Sequence, residues 1–323
     1  MNIMELVPTK RLALYSGRAH PALAEDIANH LGVSLGEPNL HQHPNTEIYC
    51  RFSESVRGAD VFIIQSHCDR VNDSIMEQLI MIDAAKRASA KRITAVCPYY
   101  GYSRQDRKAE GREPITAKLV SDMLKAAGAN RVVSVDLHSG QIQGFFDGPV
   151  DHLTAMPVLV EYLVANEPEQ LVIVAPDEGR AKVASRFAER LGADLAIVYK
   201  KRSHGVVEAR KVIGDVAGRR CVLIDDMIDT AGTIVAAADI LDGAGAAEVW
   251  AMATHGVLSH PATDRLKNSS ITRVVVTNTL PVPPEKQIDK LEILSVAEII
   301  ADALDAVFED TSVSDIFDGE NQS

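Results

Sequence analysis

VLIDDMIDTAGT, residues 222–233, decides the reading of the whole chain. An apolar run closes on two adjacent carboxylates, Asp225 and Asp226. Asp229 follows, then a cluster of small and hydroxyl residues, then TIVAAADIL (233–241), which begins a helix. In open α/β sheets, ligands bind beyond the carboxyl ends of the strands. A strand ending in VLIDD and a helix starting at Thr233 therefore bring free backbone N–H groups and about half a positive charge to one point. Gly232 allows close approach of a ligand, and the Thr230 and Thr233 hydroxyls add donors. This is a phosphate cup without a lysine, distinct from a Walker loop, which requires GKS or GKT. The carboxylates suit a different group, because they accept from a vicinal diol or hold a hard cation directly or through water. A sugar phosphate satisfies both parts.

Outward from this motif, Val- and Ile-rich runs alternate with helical patterns. Strands are expected at 11–16, 60–66, 92–97, 131–136, 171–176, 194–199, 220–225, 248–253 and 273–278. Most are apolar on both faces, as covered strands of a parallel sheet are. Ile75, Leu79 and Ile82 mark one helix face, with Asn72 or Asp73 placed to cap. Ile115, Leu119 and Met123 mark another, ended by Gly128. The fold class is α/β, and the strand–helix series occurs twice, giving two doubly wound, mostly parallel-sheet domains. The expected boundaries are 1–153 and 154–310, the second closing with the helix SVAEIIADALDAVF (295–308), and a polar acidic tail over 311–323.

The chain has 323 residues and a formal net charge of −12. That balance argues against nucleic acid and anionic membrane as partners, since both need a broad basic surface. An anionic substrate must then be held by local cations, backbone amides or metal. Four scattered cysteines without CxxC spacing read as thiols of a reducing compartment. No segment approaches the ~18 apolar residues of a membrane span, so a cytoplasmic protein is expected.

VLIDDMIDTAGT resembles the phosphoribosyl-binding motif of the phosphoribosyltransferase fold. Position 231 is Ala where the usual motif has Gly. A second stretch, CPYYGYSRQDRKAEGREPITAK (97–118), is the densest cationic segment, with Arg104, Arg107, Lys108 and Arg112 on an expected mobile loop. It resembles the ATP-binding loop of the ribose-phosphate pyrophosphokinase family. The likeness continues through NTEIYCRFSESVRGADVFIIQS (45–66), VDLHSGQIQGFFDGPVDHL (135–153), VAPDEGRAKVA (174–184), KKR (200–202), GDVAGRRCVLIDDMIDTAGT (214–233) and SVSDIF (312–317). The resemblance implies two phosphoribosyltransferase-type domains related by pseudo-two-fold duplication. It implies transfer of pyrophosphate from MgATP to the C1 hydroxyl of ribose 5-phosphate, releasing AMP, for nucleotide, histidine and tryptophan biosynthesis.

The same resemblance implies the residue roles. Lys200 and Arg202 stabilise the reacting phosphates, ahead of a second mobile segment, SHGVVEAR. Arg202, Asp225, Asp226, Asp229, Thr230, Ala231, Gly232 and Thr233 hold ribose 5-phosphate. Arg104 and Gln105 contact ATP, as do Asn45, Thr46 and Glu47 across a subunit interface, where His43 replaces the family's usual Phe. His138 and Asp177 bind the Mg²⁺ that travels with ATP. Asp136 supports them; being two residues from His138 at a strand end, it is expected on the same side. Ser55, Arg57, Ser312 and Ser314 match a regulatory anion site, in a homohexamer activated by phosphate and inhibited by ADP. An ordinary phosphoribosyltransferase would lack the 97–118 loop and the doubled length, and a non-catalytic relative would have no reason to keep Lys200, Arg202, His138 and DTAGT together.

Overall fold

The computed structural model describes residues 10–68, 70–166, 169–203 and 206–317, with the side chains of 200–210 outside that description. The chain forms two compact units. One takes the described residues up to Leu153 together with those from Ala297 onward, and the other takes Thr154–Val296.

The first unit runs β1 (Leu12–Ser16), α1 (Pro21–Leu31), β2 (Leu35–Gly36), β3 (Asn39–Gln42), β4 (Ile48–Arg51), β5 (Asp60–Ile64), α2 (Val71–Arg87), β6 (Arg92–Cys97), α3 (Thr116–Ala127), β7 (Arg131–Val135) and β8 (Val150–Leu153). Six strands pair in the order β2-β1-β5-β6-β7-β8, all parallel. Strands β3 and β4 form a separate antiparallel hairpin. Every residue of β5 is buried, which explains its unbroken apolar run.

The second unit runs α4 (Met156–Ala165), β9 (Leu171–Ala175), α5 (Ala181–Leu191), β10 (Asp194–Ser203), β11 (Val206–Ile213), β12 (Arg220–Ile228), α6 (Gly232–Gly243), β13 (Glu248–Gly256), α7 (Ala262–Lys267), β14 (Arg273–Thr277) and β15 (Leu291–Leu294). Its strand order is β11-β10-β9-β12-β13-β14-β15, antiparallel only at β10–β11. Successive residues of its central strands enter two different cores. Val172, Val174, Cys221 and Leu223 pack with α6 and α7, whereas Ile173, Ala175, Val222 and Ile224 pack with α4 and α5. Helices therefore cover both faces, as a doubly wound sheet requires. With β11 set aside, the parallel strands of both units follow one order: second, first, third, fourth, fifth, sixth.

Several expectations need correction. The C-terminal helix, α8 (Ala297–Glu309), belongs to the first unit, where it packs against α1. Lys10 and Arg92 both pair with Asp310 just beyond it, and Val313 and Phe317 of the expected tail are buried in that unit. Residues 318–323 lie outside the described residues. Helix α2 takes no side-chain cap; Asn72 and Asp73 sit in its first turn, and Asp73 pairs with Arg70 at 2.8 Å. Helix α3 buries Ala117, Val120, Ser121 and Leu124, leaving Ile115 and Leu119 exposed. Two of the four buried positions are the small residues Ala117 and Ser121, which the periodicity of large side chains passed over. Most of the expected mobile segment SHGVVEAR is strand β11, hydrogen-bonded to β10; residues 204 and 205 lie outside the described residues.

Candidate active site

Strand β12 runs through Ile228 rather than stopping at Asp225, because β13 continues to pair beside it. Asp225 and Asp226 therefore lie within the strand. The register with β13 skips the position between Asp225 and Met227. Arg180, just after β9, bridges the two carboxylates: its Nε lies 3.0 Å from Asp225 and its Nη2 2.5 Å from Asp226. Burial, and next the neighbouring Asp226, push the Asp225 carboxyl up; the Arg180 charge draws it back. The site sits where β9 and β12 adjoin and the strand order reverses, the crevice position of open α/β sheets.

The following turn delivers the N-terminus of α6 without any side-chain cap. Thr230, Gly232 and Thr233 are exposed there, Asp229 is half-buried and Ala231 is buried. Ala231 is left-handed, with φ 59°, so the conformation that favours glycine falls at 231 and not at Gly232. A Cβ at Gly232 would meet only side-chain atoms, Arg265 Nη1 at 3.3 Å and Thr230 Oγ1 at 3.8 Å. Arg265 of α7 donates from Nη1 to the Thr230 carbonyl at 2.9 Å. A cation, Arg265, thus lies beside this turn.

Asp177 caps the short turn 178–180, accepting from the Gly179 N–H at 2.9 Å. Lys200 and Arg202 lie on β10, which shifts register between Lys201 and Arg202; their side chains lie outside the described residues. Among the described residues, no group of three or more His, Cys, Asp or Glu is arranged to hold a metal. The paired Asp225 and Asp226 oxygens nevertheless match a hard cation that retains water and takes one or two carboxylates.

In the first unit, Arg104 and Gln105 follow β6 on a turn closed by the Gln105 N–H donating to the Tyr102 carbonyl, 2.9 Å. Tyr102 is left-handed, φ 63°, and its hydroxyl donates to Asn72. Arg104, Gln105, Tyr99, Tyr102, Arg70 and Asn72 line a cavity of about 570 Å³. Beneath the turn, His67 is fully buried. Its Nδ1 accepts the Gly101 N–H at 3.0 Å and its Nε2 faces Gln78 Oε1 at 2.9 Å. Burial pushes this imidazole down to about 4, so it is neutral at ordinary pH.

Asn45, Thr46 and Glu47 form the exposed tip between β3 and β4, with Thr46 left-handed and His43 packed edge-on to His41. Asp136 has φ 35°, so extended backbone stops at β7 and strand alternation does not place it beside His138. Buried His152 accepts the intervening Leu137 N–H at 2.9 Å. Ser55 and Arg57 are exposed on a loop whose carbonyls accept from Arg11. Ser312 is exposed and Ser314 half-buried in the same unit.

Sequence reading missed Arg180, Arg265 and His67. Arg180 carried a signal, a cation three residues after Asp177 at the end of the strand that adjoins β12. Arg265 and His67 carried none, since both act on backbone groups far along the chain.

Comparison with known proteins covers both units. The family model described as the N-terminal domain of ribose phosphate pyrophosphokinase matches residues 12–128, and that of the phosphoribosyl synthetase-associated domain matches 206–318. A ribose-phosphate pyrophosphokinase of Bifidobacterium longum is 55% identical, over 98% of this chain and 95% of its own. One of Streptomyces avermitilis is 56% identical, over 96% and 97%. The crystal structure of phosphoribosylpyrophosphate synthetase from Mycobacterium smegmatis superposes with a TM-score of 0.89 at 51% identity, covering 93% of this chain and 100% of that one. With identity above one half along nearly the full length of each relative, the chain belongs to the ribose-phosphate pyrophosphokinase family.

Proposed function

We infer that this protein transfers pyrophosphate from ATP to the C1 hydroxyl of ribose 5-phosphate, yielding 5-phosphoribosyl 1-pyrophosphate and AMP. The observation that carries the reading is the second unit's switch point, where a carboxylate pair adjoins an uncapped helix N-terminus. Asp225 and Asp226 accept hydrogen bonds from the ribose diol and orient the C1 hydroxyl. Asp229, Thr230, Ala231, Gly232 and Thr233 hold the 5-phosphate on the α6 N–H groups. Arg104 and Gln105 contact the nucleotide, with Asn45, Thr46 and Glu47 of a neighbouring subunit completing its site in a homohexamer.

Two polyanions must meet, and each unit pair of like charges at ~4 Å costs about 4 kcal/mol at an effective dielectric near 20. Lys200 and Arg202 offset part of this, and catalysis is alignment and charge stabilisation. Mg²⁺ bound with ATP would neutralise phosphate charge, held by His138 and Asp177 with Asp136 in support, and Asp225 and Asp226 offer oxygens to a second ion. Ser55, Arg57, Ser312 and Ser314 form a regulatory site through which phosphate activates and ADP inhibits. Free thiols at Cys50, Cys68, Cys97 and Cys221 fit a cytoplasmic setting.

The test supplies ATP, Mg²⁺ and ribose 5-phosphate and follows AMP. Formation that requires the sugar is expected, and AMP release indifferent to it would overturn the reading. Lys200→Ala is expected to lower turnover by orders of magnitude with folding intact.

A further inference from the structure

We propose that buried His67 is a positioning residue for the nucleotide-contacting turn, acting through a single ring tautomer. The polar partners around it leave one assignment. Gln78 points its Nε2 at two carbonyls, those of Ile63 at 3.2 Å and Val96 at 3.3 Å, so its Oε1 faces His67 and can only accept. His67 Nε2 must then carry the proton, which makes Nδ1 the acceptor for the Gly101 N–H. The His67 backbone N–H also donates to the Tyr99 carbonyl at 3.0 Å. The chain is thus tied on both sides of Tyr100.

Gly101 is required for this closeness, since a Cβ there would lie 2.8 Å from the His67 Cβ. One residue beyond the tie, Tyr102 turns left-handed, and its carbonyl then receives the Gln105 N–H. The direction in which Arg104 and Gln105 leave the sheet is therefore set from Gln78 through His67 to Gly101. His67 itself lines no part of the cavity that those two residues border. Burial, which keeps the ring neutral, maintains the acceptor. The inference rests on the reading of Arg104 and Gln105 as nucleotide contacts.

Two substitutions separate the ring's two ends. In His67→Asn, Oδ1 takes the place of Nδ1 and retains an acceptor for Gly101; in His67→Gln, the amide reaches toward Gln78 and that acceptor is lost. His67→Gln is expected to raise KM for MgATP about tenfold. Its KM for ribose 5-phosphate and its kcat are expected to stay within about twofold, and His67→Asn to remain near the parent on all three. Equal shifts in the two variants, or a KM for the sugar that moves with that for ATP, would overturn the proposal. Histidine-selective ¹⁵N spectra of the parent protein test it independently of how His67→Gln folds: a protonated Nε2 is expected, and a protonated Nδ1 would overturn it. A parent enzyme that forms no sugar-dependent AMP would refute the proposed function instead, and the ring spectrum would still judge the tautomer.

Discussion

The two units share a strand order but treat the end of their third parallel strand in opposite ways. In the second unit, β12 carries Asp225 and Asp226 near its end, beside an Arg180 contributed from just beyond the first strand, and the next helix starts uncapped. In the first unit, β5 is followed by Gln65, Ser66 and His67, all buried. Arg18, after β1, pairs with Glu77 of α2 at 2.6 Å, and Glu77 also accepts from Gln65 at 2.8 Å. Gly17 approaches Gln65 so closely that a Cβ would clash at 2.3 Å. An arginine meets a carboxylate at both places. One switch point leaves an uncapped helix start on an exposed turn beside its Arg180-bridged carboxylate pair, and the other spends its polar groups on its own backbone. Of the two switch points, one is thus the candidate sugar-phosphate site and the other a brace.

The largest expected effect falls on the open switch point. Asp225→Asn is expected to reduce turnover about 10²–10³-fold, because diol orientation is lost, while making the fold slightly more stable. The carboxyl pKa of Asp225 is raised on folding, so the folded state holds that proton more tightly than the unfolded chain does. Its contribution is present in acid and is lost as pH rises through the shifted range. Thermal unfolding of the variant and parent at pH 5 and pH 8 checks this, with the variant ahead by about 1 kcal/mol at the higher pH. A variant less stable than the parent at pH 8 would break the contrast between site and brace.

Arg180→Ala strands two adjacent carboxylates and is expected to cost about 3 kcal/mol near neutral pH in urea unfolding, with a smaller deficit at pH 5. In the brace, Gln78→Leu removes the acceptor of His67 and is expected to cost about 2 kcal/mol while leaving calorimetric affinity for ribose 5-phosphate unchanged. A sugar affinity that fell with it would mean that the brace and the site are not separable. The smallest effect belongs to Ala231→Gly. Relief of the left-handed backbone, about 1 kcal/mol, is offset by the lost buried methyl and a looser unfolded chain. Stability is expected to stay within about 0.5 kcal/mol.

The nine expected strands all occur, since a residue pair buried on both faces writes an apolar run into the sequence at that place. Strands β2, β3, β4, β8 and β15 were not legible, being four residues or fewer, and most of them only half-buried. The last residues of β12 were hidden because the aspartates broke the apolar run that pairing with β13 sustains. In the candidate site, the residue types of DDMIDTAGT announced a carboxylate pair ahead of a helix N-terminus, and both occur. What they could not announce was Arg180, whose meaning depends on β9 lying beside β12, or the left-handed turn at an alanine. Helix α3 shows the converse failure: Ile115 and Leu119 promised a core face, and Ala117, Val120, Ser121 and Leu124 supplied it.

The return of α8 to the first unit gives the chain a nested order, in which the second unit is an insertion within the first. During synthesis from the N-terminus, Leu23 and Ile27 of α1 belong to a unit that stays unfinished until residues 297–309 have emerged. The inserted unit, with both halves of its sheet in hand by Leu294, completes first. Chains cut short before Ala297 would therefore carry a finished second unit on an unclosed first one, an apolar flank that quality control can recognise.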